Sequence, residues 1–365
     1  MKVLLVGVRG HGGEEVYSSL LRDRPPAGVE VEATFDFHAS CRFARCNRSA
    51  EVALNRLAHP FMPFNMGFRV LRVDPSVDLV HVHTHPTLLL GRRGRPVVFS
   101  AGSSHYVYGT EYEGWDDRTM RRWYGRARAT YGALGILDGM LHNQAIDVAY
   151  TFSEWARRSY LQMGVPETGI RVLYPGFDIP APAPRPERSE VTFLFMGRQA
   201  ARKGGDLVLQ AFARVRAVLP RAPSLRHRRP SPGPLEGVEI CPLAPSDEVA
   251  SIYAAADVFV NPPRAEGFGF TNAEAQGHGL PVISTRIGAV PEVVDDGRSG
   301  LLVPPNDSVA VAAAMRRLGE DAGLRKSMGE AARAHFERRF TLSVFQSGLG
   351  SLYEEARDLA ARRGA

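Results

Sequence analysis

Cysteine is scarce in this 365-residue chain, and so are lysine and long apolar runs. The three cysteines, Cys41, Cys46 and Cys241, show no second ligand pair at zinc spacing, and we interpret them as free thiols of a reducing compartment. No apolar run is long enough to span a bilayer. Residues 1–7 are too short for the apolar region of a signal peptide and lack a cleavage site. These absences predict a cytoplasmic protein, with contact to the inner membrane face left open.

Lysine makes up only three of the 45 basic residues, yet the net charge is +6 and the pI is near 9.4. The excess of arginine fits the bias of a high-GC coding sequence. It also fits an anionic partner such as a nucleotide, a lipid phosphate or a membrane surface. Nucleic acid is not predicted as a partner. With 44% apolar and 23% charged residues, the chain has the composition of a globular protein with two domains of ordinary size.

The most informative stretch is a predicted strand, turn and helix in the C-terminal half. Residues 258–260 form a short apolar run that predicts a buried strand, and the breaker pair Pro262-Pro263 follows it. After Glu266 and a small-residue turn, a helical pattern runs from Phe270 to about His278. In open α/β sheets, ligands bind where the carboxyl end of a strand turns into a helix.

The turn has the residues that a phosphate site requires. Gly267 and Gly269, on either side of Phe268, allow the backbone to approach a ligand closely. The N–H groups of Phe270 and Thr271 open the helix and have no acceptor within it. Such N–H groups, at the positive end of a helix dipole, favour a phosphate.

Two carboxylates flank this predicted phosphate site. Glu274 lies one helical turn further on, where a carboxylate can accept two hydrogen bonds from a ribose diol. Glu266 lies just outside the helix and can reach the next sugar along. The arrangement suits a nucleoside diphosphate sugar, although the spacing alone also fits two unrelated glutamates on a helix.

The order of motifs resembles the donor domain of the family 4 group of retaining GT-B glycosyltransferases (glycosyl transferases group 1). The resemblance rests on Glu-x7-Glu followed by Gly279-Leu280-Pro281-Val282, Gly288-Ala289-Val290-Pro291-Glu292 and Gly300-Leu301-Leu302-Val303-Pro304. It implies an α/β fold of GT-B architecture, with two Rossmann-like domains facing across a cleft. It also implies transfer of a hexose-type sugar from a UDP- or GDP-linked donor to an unknown hydroxyl acceptor, with retention of configuration and without a metal or other cofactor.

The resemblance sets the expected domain boundaries. Residues 1–178 are expected to form an N-terminal, acceptor-side Rossmann-like domain, and the proline-rich residues 179–190 a linker. Residues 191–340 are expected to form the nucleotide-sugar-binding domain. Residues 341–365 are expected to form a helix that crosses back to the N-terminal domain.

Two further groups of donor-binding residues are implied by the resemblance. Arg198 and Lys203, five residues apart on one loop, match the positions where the family holds the donor diphosphate, and their positive charges would favour its departure. Gly12 and Gly13 lie in the glycine-rich loop after the first strand, where the family's backbone approaches the donor. This loop also fits a tight turn needed only for packing. A third interpretation is a nicotinamide-dependent oxidoreductase, since a glycine-rich loop between strand and helix is the dinucleotide-binding layout.

The sequence departs from the family pattern in two places. The family often has a histidine at the end of the strand near residue 99, but Gly102 stands there and His105 comes three residues later. We therefore assign the catalytic histidine role to His105 only as an expectation. Residues 224–234 are rich in arginine and proline where a buried strand is expected, so we predict a distorted strand or an out-of-frame stretch of the gene. Both departures leave open a catalytically impaired binding scaffold.

The N-terminal half gives less specific signals. Residues 37–73 are predicted to be irregular because they are rich in arginine and proline. His81, His83 and His85 follow a strand pattern and are better interpreted as a strand end than as zinc ligands. A helix predicted over residues 116–141 carries five arginines, which fit a solvated face or contact with an anionic lipid surface.

Overall fold

The chain divides into two compact units. The structure, a computed structural model, describes residues 1–7, 13–35, 40–58, 69–84, 86–92, 94–107, 109–110, 114–137, 146–182, 190–197, 199–218, 224–227, 237–240 and 249–364. Unit 1 consists of Met1–Pro175 together with Phe345–Ala365, and unit 2 consists of Gly176–Val344.

Unit 1 is built on a parallel sheet whose four central strands are almost wholly buried. Its described strands are β1 (Lys2–Val6), β2 (Glu30–Thr34), β3 (Ala44–Cys46), β4 (Arg69–Val73), β5 (Leu79–His83), β6 (Thr87–Leu90), β7 (Val97–Ala101), β8 (Val148–Thr151) and β9 (Ile170–Val172). Its helices are α1 (Gly13–Asp23), α2 (Arg48–Ala58), α3 (His105–Val107), α4 (Asp117–Leu134) and α5 (Glu154–Gln162). Six strands pair in parallel in the order β2-β1-β5-β7-β8-β9. Strands buried on both faces require continuous apolar runs, and β1 has one.

A second, three-stranded sheet shows that the prediction of an irregular segment is wrong for residues 40–58 and 69–73, whereas residues 37–39 and 59–68 lie outside the described residues. β4 pairs antiparallel with β3 and parallel with β6, and α2 lies between β3 and β4. The arginine content was misleading because Arg69 is itself buried. Its guanidinium donates to the backbone oxygen of Thr34 at 2.9 Å and to the Thr34 hydroxyl at 2.6 Å. A buried charge with such partners is compatible with a strand.

The two histidines of β5 are part of a buried hydrogen-bond network. His81 Nε2 and His83 Nδ1 each lie 2.8 Å from the Ser100 hydroxyl of β7. His81 Nδ1 lies 2.9 Å from the hydroxyl of Tyr353. Tyr353 belongs to the last helix, α12 (Leu342–Gly364), which is part of unit 1 from Phe345 onward. Within the described residues, no group of three or more potential ligands could hold a metal ion; His85 lies outside them. The network therefore gives His81 and His83 a structural role.

The buried network predicts that acid destabilises unit 1. Burial, and then the proximity of His83, lowers the pKa of His81 well below its usual range. The unfolded chain takes up a proton near pH 6.5 and the folded chain does not. The free energy of unfolding is therefore not reduced by this histidine above about pH 6.5. Below that pH it falls, by up to about 1.4 kcal/mol per pH unit for one histidine.

Urea unfolding of the wild type and of His81→Gln, at about pH 7.5 and about pH 5.5, checks this expectation. The variant should be less stable at the higher pH because the network is cut. It should lose less of its free energy of unfolding on acidification because it lacks the titrating ring. Equal losses in both proteins would contradict the assignment.

Unit 2 contains a second six-stranded parallel sheet. Its strands are β10 (Thr192–Phe195), β11 (Ser224–His227), β12 (Val238–Ile240), β13 (Val258–Asn261), β14 (Val282–Thr285) and β15 (Gly300–Val303). The helices of the C-terminal half are α6 (Gly205–Arg216), α7 (Val249–Ala254), α8 (Phe270–Gly277), α9 (Val290–Val293), α10 (Ser308–Glu320), α11 (Ala322–Arg339) and α12 (Leu342–Gly364), and most of α12 belongs to unit 1. The strand order is β12-β11-β10-β13-β14-β15. Apolar residues of β10 and β13 form a core with α6 and α10.

The strand that the sequence predicted to be lost is present in part. Ser224–His227 pairs in parallel with β10 on one side and β12 on the other. The expectation that this segment does not form an ordinary parallel strand is wrong for these four residues. Paired strands are joined by hydrogen bonds between backbone N–H and C=O groups, so a strand can form whatever its side chains are. Residues 228–236 of the same segment lie outside the described residues.

Among the described residues, no helix combines the length and the apolar character that crossing a membrane requires.

Candidate functional site

The centre of the candidate site is the turn between β13 and α8 in unit 2. Gly269 immediately precedes α8 with φ at +97°, in the left-handed region that favours glycine, and it provides no side-chain cap. Its carbonyl accepts from the N–H groups of Asn272 and Ala273 at 2.9 and 3.2 Å. The earlier N–H groups, those of Phe270 and Thr271, lie in the first turn, where a helix offers them no acceptor of its own. The predicted start of the helix is thus where the structure places it.

A chain of buried amides and a hydroxyl fixes α8 against the sheet. Asn261 Nδ2, at the end of β13, donates to Asn272 Oδ1 at 3.1 Å. Asn272 Nδ2 donates to the Ser284 hydroxyl of β14 at 3.2 Å, and this hydroxyl donates to the Asn261 carbonyl at 2.7 Å. All three residues are fully buried. Sequence reasoning missed this network; the only signal was two asparagines placed among apolar and small residues.

Glu266 and Lys203 form a nearly buried ion pair beside this turn. Lys203 Nζ donates to Glu266 Oε2, and the two side chains are only 11% and 9% exposed. Arg202 Nη1 lies 3.8 Å from the same carboxylate oxygen. Because a buried charge requires a partner, this pairing holds both side chains in defined positions. Arg202 was not among the predicted site residues.

Close backbone contacts bring the two loops of this ion pair together. Gly204, with φ at +75°, follows Lys203, and a Cβ there would lie 2.0 Å from the Pro262 carbonyl oxygen. Gly288 is similarly confined, since a Cβ there would lie 2.1 Å from the Glu266 carbonyl oxygen. Only glycine fits at both positions, so the Lys203 loop and the Glu266 loop lie directly against each other and against the turn at Gly288.

Arg264 joins the same two loops through its side chain. Its guanidinium makes two hydrogen bonds of 2.7 Å to the Asp206 carboxylate and one of 2.8 Å to Asn306 Oδ1. The hydrogen bonds from Arg264 hold the pKa of Asp206 below its usual range. These contacts stabilise the loop geometry that places Lys203 next to Glu266.

The second predicted carboxylate, Glu274, has a buried tyrosine as its partner. The Tyr253 hydroxyl, on α7, donates to Glu274 Oε2 at 3.0 Å. The Tyr253 ring stacks on His278 with 4.8 Å between ring centroids and 14° between planes. Sequence reasoning did not predict this contact, because the two residues lie on different helices.

The structure thus brings several predicted residues together around one turn of unit 2: Lys203, Glu266, Gly267, Phe268, Gly269, Phe270, Thr271 and Glu274. For the other predicted residues, the structure describes only the backbone or nothing at all. Gly12 and Arg198 lie outside the described residues. Gly13 begins α1 and His105 begins α3, both in unit 1, and only their backbone is described. The binding and catalytic roles of all the predicted site residues remain predictions.

Two proteins of known structure share the fold of this chain over almost its whole length. Sucrose-phosphate synthase from Thermosynechococcus elongatus has a TM-score of 0.67 and 18% identity, covering 97% of this chain and 98% of that chain. Anabaena HepE in complex with UDP-glucose has a TM-score of 0.65 and 16% identity, covering 97% and 100%. These likenesses concern the fold alone. Together with the parallel sheets of both units, they confirm the predicted class, an α/β fold of the GT-B type.

The part of the chain that carries the candidate site matches a family model. Residues 190–321 match the family model of glycosyl transferases group 1. They contain β10 to β15 and all the residues that surround the turn before α8. Through this region the chain is similar to the glycosyl transferases group 1 family, and the match confirms the resemblance drawn from its motifs.

Named relatives match the chain over part of their length. A D-inositol 3-phosphate glycosyltransferase from Streptomyces bingchenggensis is 33% identical over 186 residues, which are 45% of this chain and 40% of that protein. One from Thermobifida fusca is 26% identical over 344 residues, 84% of this chain and 76% of that protein. The chain spans only 25% of a similarly named protein from Corynebacterium kroppenstedtii, at 39% identity.

Proposed function

We propose that the protein transfers a hexose-type sugar from a UDP- or GDP-linked donor to a hydroxyl acceptor, with retention of configuration. The observation that carries the proposal is the buried Lys203–Glu266 ion pair beside the amino end of α8. A cation and a helix amino end at one place suit a diphosphate. The adjacent carboxylate suits the hydroxyl groups of the attached sugar.

Each residue has a distinct role in the proposed reaction. Lys203, Arg198 and the N–H groups of Phe270 and Thr271 bind the diphosphate and stabilise the negative charge that it gains on leaving. Glu266 orients the donor sugar. The bond between the anomeric carbon and the phosphate oxygen breaks, and the acceptor oxygen bonds to that carbon on the same face. The acceptor proton passes to the departing phosphate, so the proposal requires neither a metal nor a further base.

The nucleoside end and the acceptor side complete the proposal. Glu274 accepts hydrogen bonds from the ribose diol, while Gly12, Gly13 and His105 keep the roles toward the donor that the resemblance implies. Solved HepE structures contain UDP and glucose, or UDP-glucose. These ligands of a protein with the same fold support a sugar nucleotide donor here. The names of the curated relatives support a hydroxyl-bearing acceptor without identifying it.

A thermal-shift screen tests the donor. We expect one UDP- or GDP-sugar to stabilise the protein, by about 2.7 kcal/mol when present at 100 times its Kd. Incubation with that donor should release the nucleoside diphosphate, and with an acceptor should give a product of unchanged anomeric configuration by NMR. Stabilisation by a nicotinamide cofactor, and by no sugar nucleotide, would instead favour an oxidoreductase. A donor that binds but stays intact after long incubation would favour an impaired scaffold.

Peripheral contact with an anionic membrane is a further part of the proposal. On α4, the face opposite the buried residues Met120, Tyr124, Ala127 and Tyr131 is exposed. The exposed face carries five arginines: Arg118, Arg121, Arg122, Arg126 and Arg128. Asp117 at the first turn pairs with Arg121 at 2.8 Å, so the rest of this face keeps an excess of positive charge. Such a face is suited to anionic lipid headgroups.

Neutralising part of the α4 face should weaken binding to vesicles that contain phosphatidylserine. Replacing Arg118, Arg122 and Arg126 with glutamine should lower the partition coefficient roughly 100-fold, since each basic residue near such a surface contributes about 1 kcal/mol. Vesicle sedimentation at low and high salt measures the effect. A matched control replaces three exposed arginines of unit 2: Arg298, Arg316 and Arg338. Equal binding by both variants would show that α4 has only a solvated face.

A further inference from the structure

Tyr253 is held so firmly that its hydroxyl has one fixed direction. The side chain is fully buried in unit 2. Its ring stacks on His278 and lies 5.8 Å from the ring of Phe259, at 52° between planes. A ring buried between such neighbours has little freedom to rotate. The hydroxyl therefore has a defined position relative to α8.

The Tyr253 hydroxyl anchors one oxygen of the Glu274 carboxylate. The hydrogen bond to Glu274 Oε2 is 3.0 Å, whereas the Thr271 carbonyl oxygen is 3.5 Å away, so the carboxylate is the better acceptor. A hydrogen bond to a carboxylate is stronger than one between neutral groups. The carboxylate has about four lone-pair positions, so this anchor does not saturate it. Glu274 can therefore accept from a ligand while Tyr253 holds its orientation.

We propose that Tyr253 is a positioning residue for nucleoside recognition, acting through Glu274 on the ribose diol of the donor. The inference rests on the proposed function, in which Glu274 meets the ribose. Tyr253 need not touch the ligand. Its contribution is to remove the rotational freedom of the carboxylate before the ligand binds, which lowers the entropic cost of forming the two hydrogen bonds to the diol.

Isothermal titration of full-length protein with UDP and with 2′-deoxy-UDP tests this role. The wild type should bind UDP more tightly than 2′-deoxy-UDP. In Tyr253→Phe, which removes only the hydroxyl, affinity for UDP should fall roughly ten-fold while affinity for 2′-deoxy-UDP falls much less. The ratio of the two dissociation constants should approach that of Glu274→Gln. Combining both substitutions should add little to the loss caused by Glu274→Gln alone.

Tyr353→Phe is the matched control. It removes the same atom from an equally buried tyrosine of unit 1, where the hydroxyl contacts His81. The thermal stability of the Tyr353→Phe variant should change, but the ratio of its affinities for UDP and 2′-deoxy-UDP should not. A wild-type ratio preserved in Tyr253→Phe would overturn the positioning role and leave the proposed function intact. GDP and 2′-deoxy-GDP replace this pair if the thermal-shift screen finds a GDP-linked donor. A wild type that binds the matching nucleotide but does not distinguish it from its 2′-deoxy form would overturn the ribose role of Glu274 and the inference with it. A wild type that binds neither pair would overturn the proposed function itself.

Discussion

Lys203→Ala is expected to lower kcat/KM for sugar transfer about 10²- to 10³-fold, the loss typical of removing one preorganised group that stabilises developing negative charge. Lys203 is the cation that the structure places beside Glu266 and next to the turn before α8. Its removal withdraws charge from the leaving diphosphate. It also leaves the Glu266 carboxylate to interact with Arg202, which lies 3.8 Å away. We therefore also expect a loss of stability, of about 3 kcal/mol or less.

Steady-state kinetics with the donor found in the thermal-shift screen measures this effect. Lys326→Ala is the natural control, because Lys326 is an exposed lysine of α11 in the same unit. It should retain wild-type kinetics and stability. If Lys203→Ala kept activity within a few-fold of the wild type while remaining folded, Lys203 would have no place in the diphosphate site, and the central observation of the proposal would lose its force.

Glu266→Gln should separate turnover from nucleotide binding. Glutamine keeps the size of the side chain but removes the charge that pairs with Lys203. Because Glu266 is assigned to the transferred sugar, kcat should fall about 100-fold, the order of loss caused by a misplaced reacting group. The affinity for free UDP should not weaken, since the nucleotide and diphosphate contacts remain.

The split between kcat and UDP affinity is the critical observation for Glu266. The control is Glu320→Gln, which removes an exposed carboxylate at the end of α10 in the same unit. It should leave both kcat and UDP affinity unchanged. A parallel loss of UDP affinity and kcat in Glu266→Gln would assign the carboxylate to the diphosphate region. Unchanged kcat would remove Glu266 from the reaction altogether.

Local signals allowed much of unit 2 to be predicted from the sequence. The strand before Pro262 and the helix that begins at Phe270 are marked by breakers and glycines within a few residues of their ends. In unit 1, the serine before α5 caps it in the usual way, with the Ser153 hydroxyl accepting from the Ala156 N–H at 3.0 Å. Each of these features depends only on residues that are close in the sequence, so each can be predicted from a short segment.

Features that depend on distant partners could not be read in this way. Arg69 looks like a loop residue until its contact with Thr34, 35 positions away, is known. Lys203 and Glu266 were assigned to different parts of the donor, and nothing in the sequence indicates that they pair across 63 positions. The Tyr253–Glu274 contact joins two helices whose packing the sequence does not specify. The missed contacts all connect separate segments of the chain.

The bond between Tyr353 and His81 has a consequence for the order in which the protein matures on the ribosome. Tyr353 completes the polar network of β5, yet it is synthesised after all of unit 2. While the ribosome is still making unit 2, the buried Nδ1 of His81 lacks this partner. Unit 1 therefore cannot reach its final packing first, as an amino-terminal domain usually does. Unit 2, whose residues are contiguous, is the part that can finish folding while the last helix is still being made.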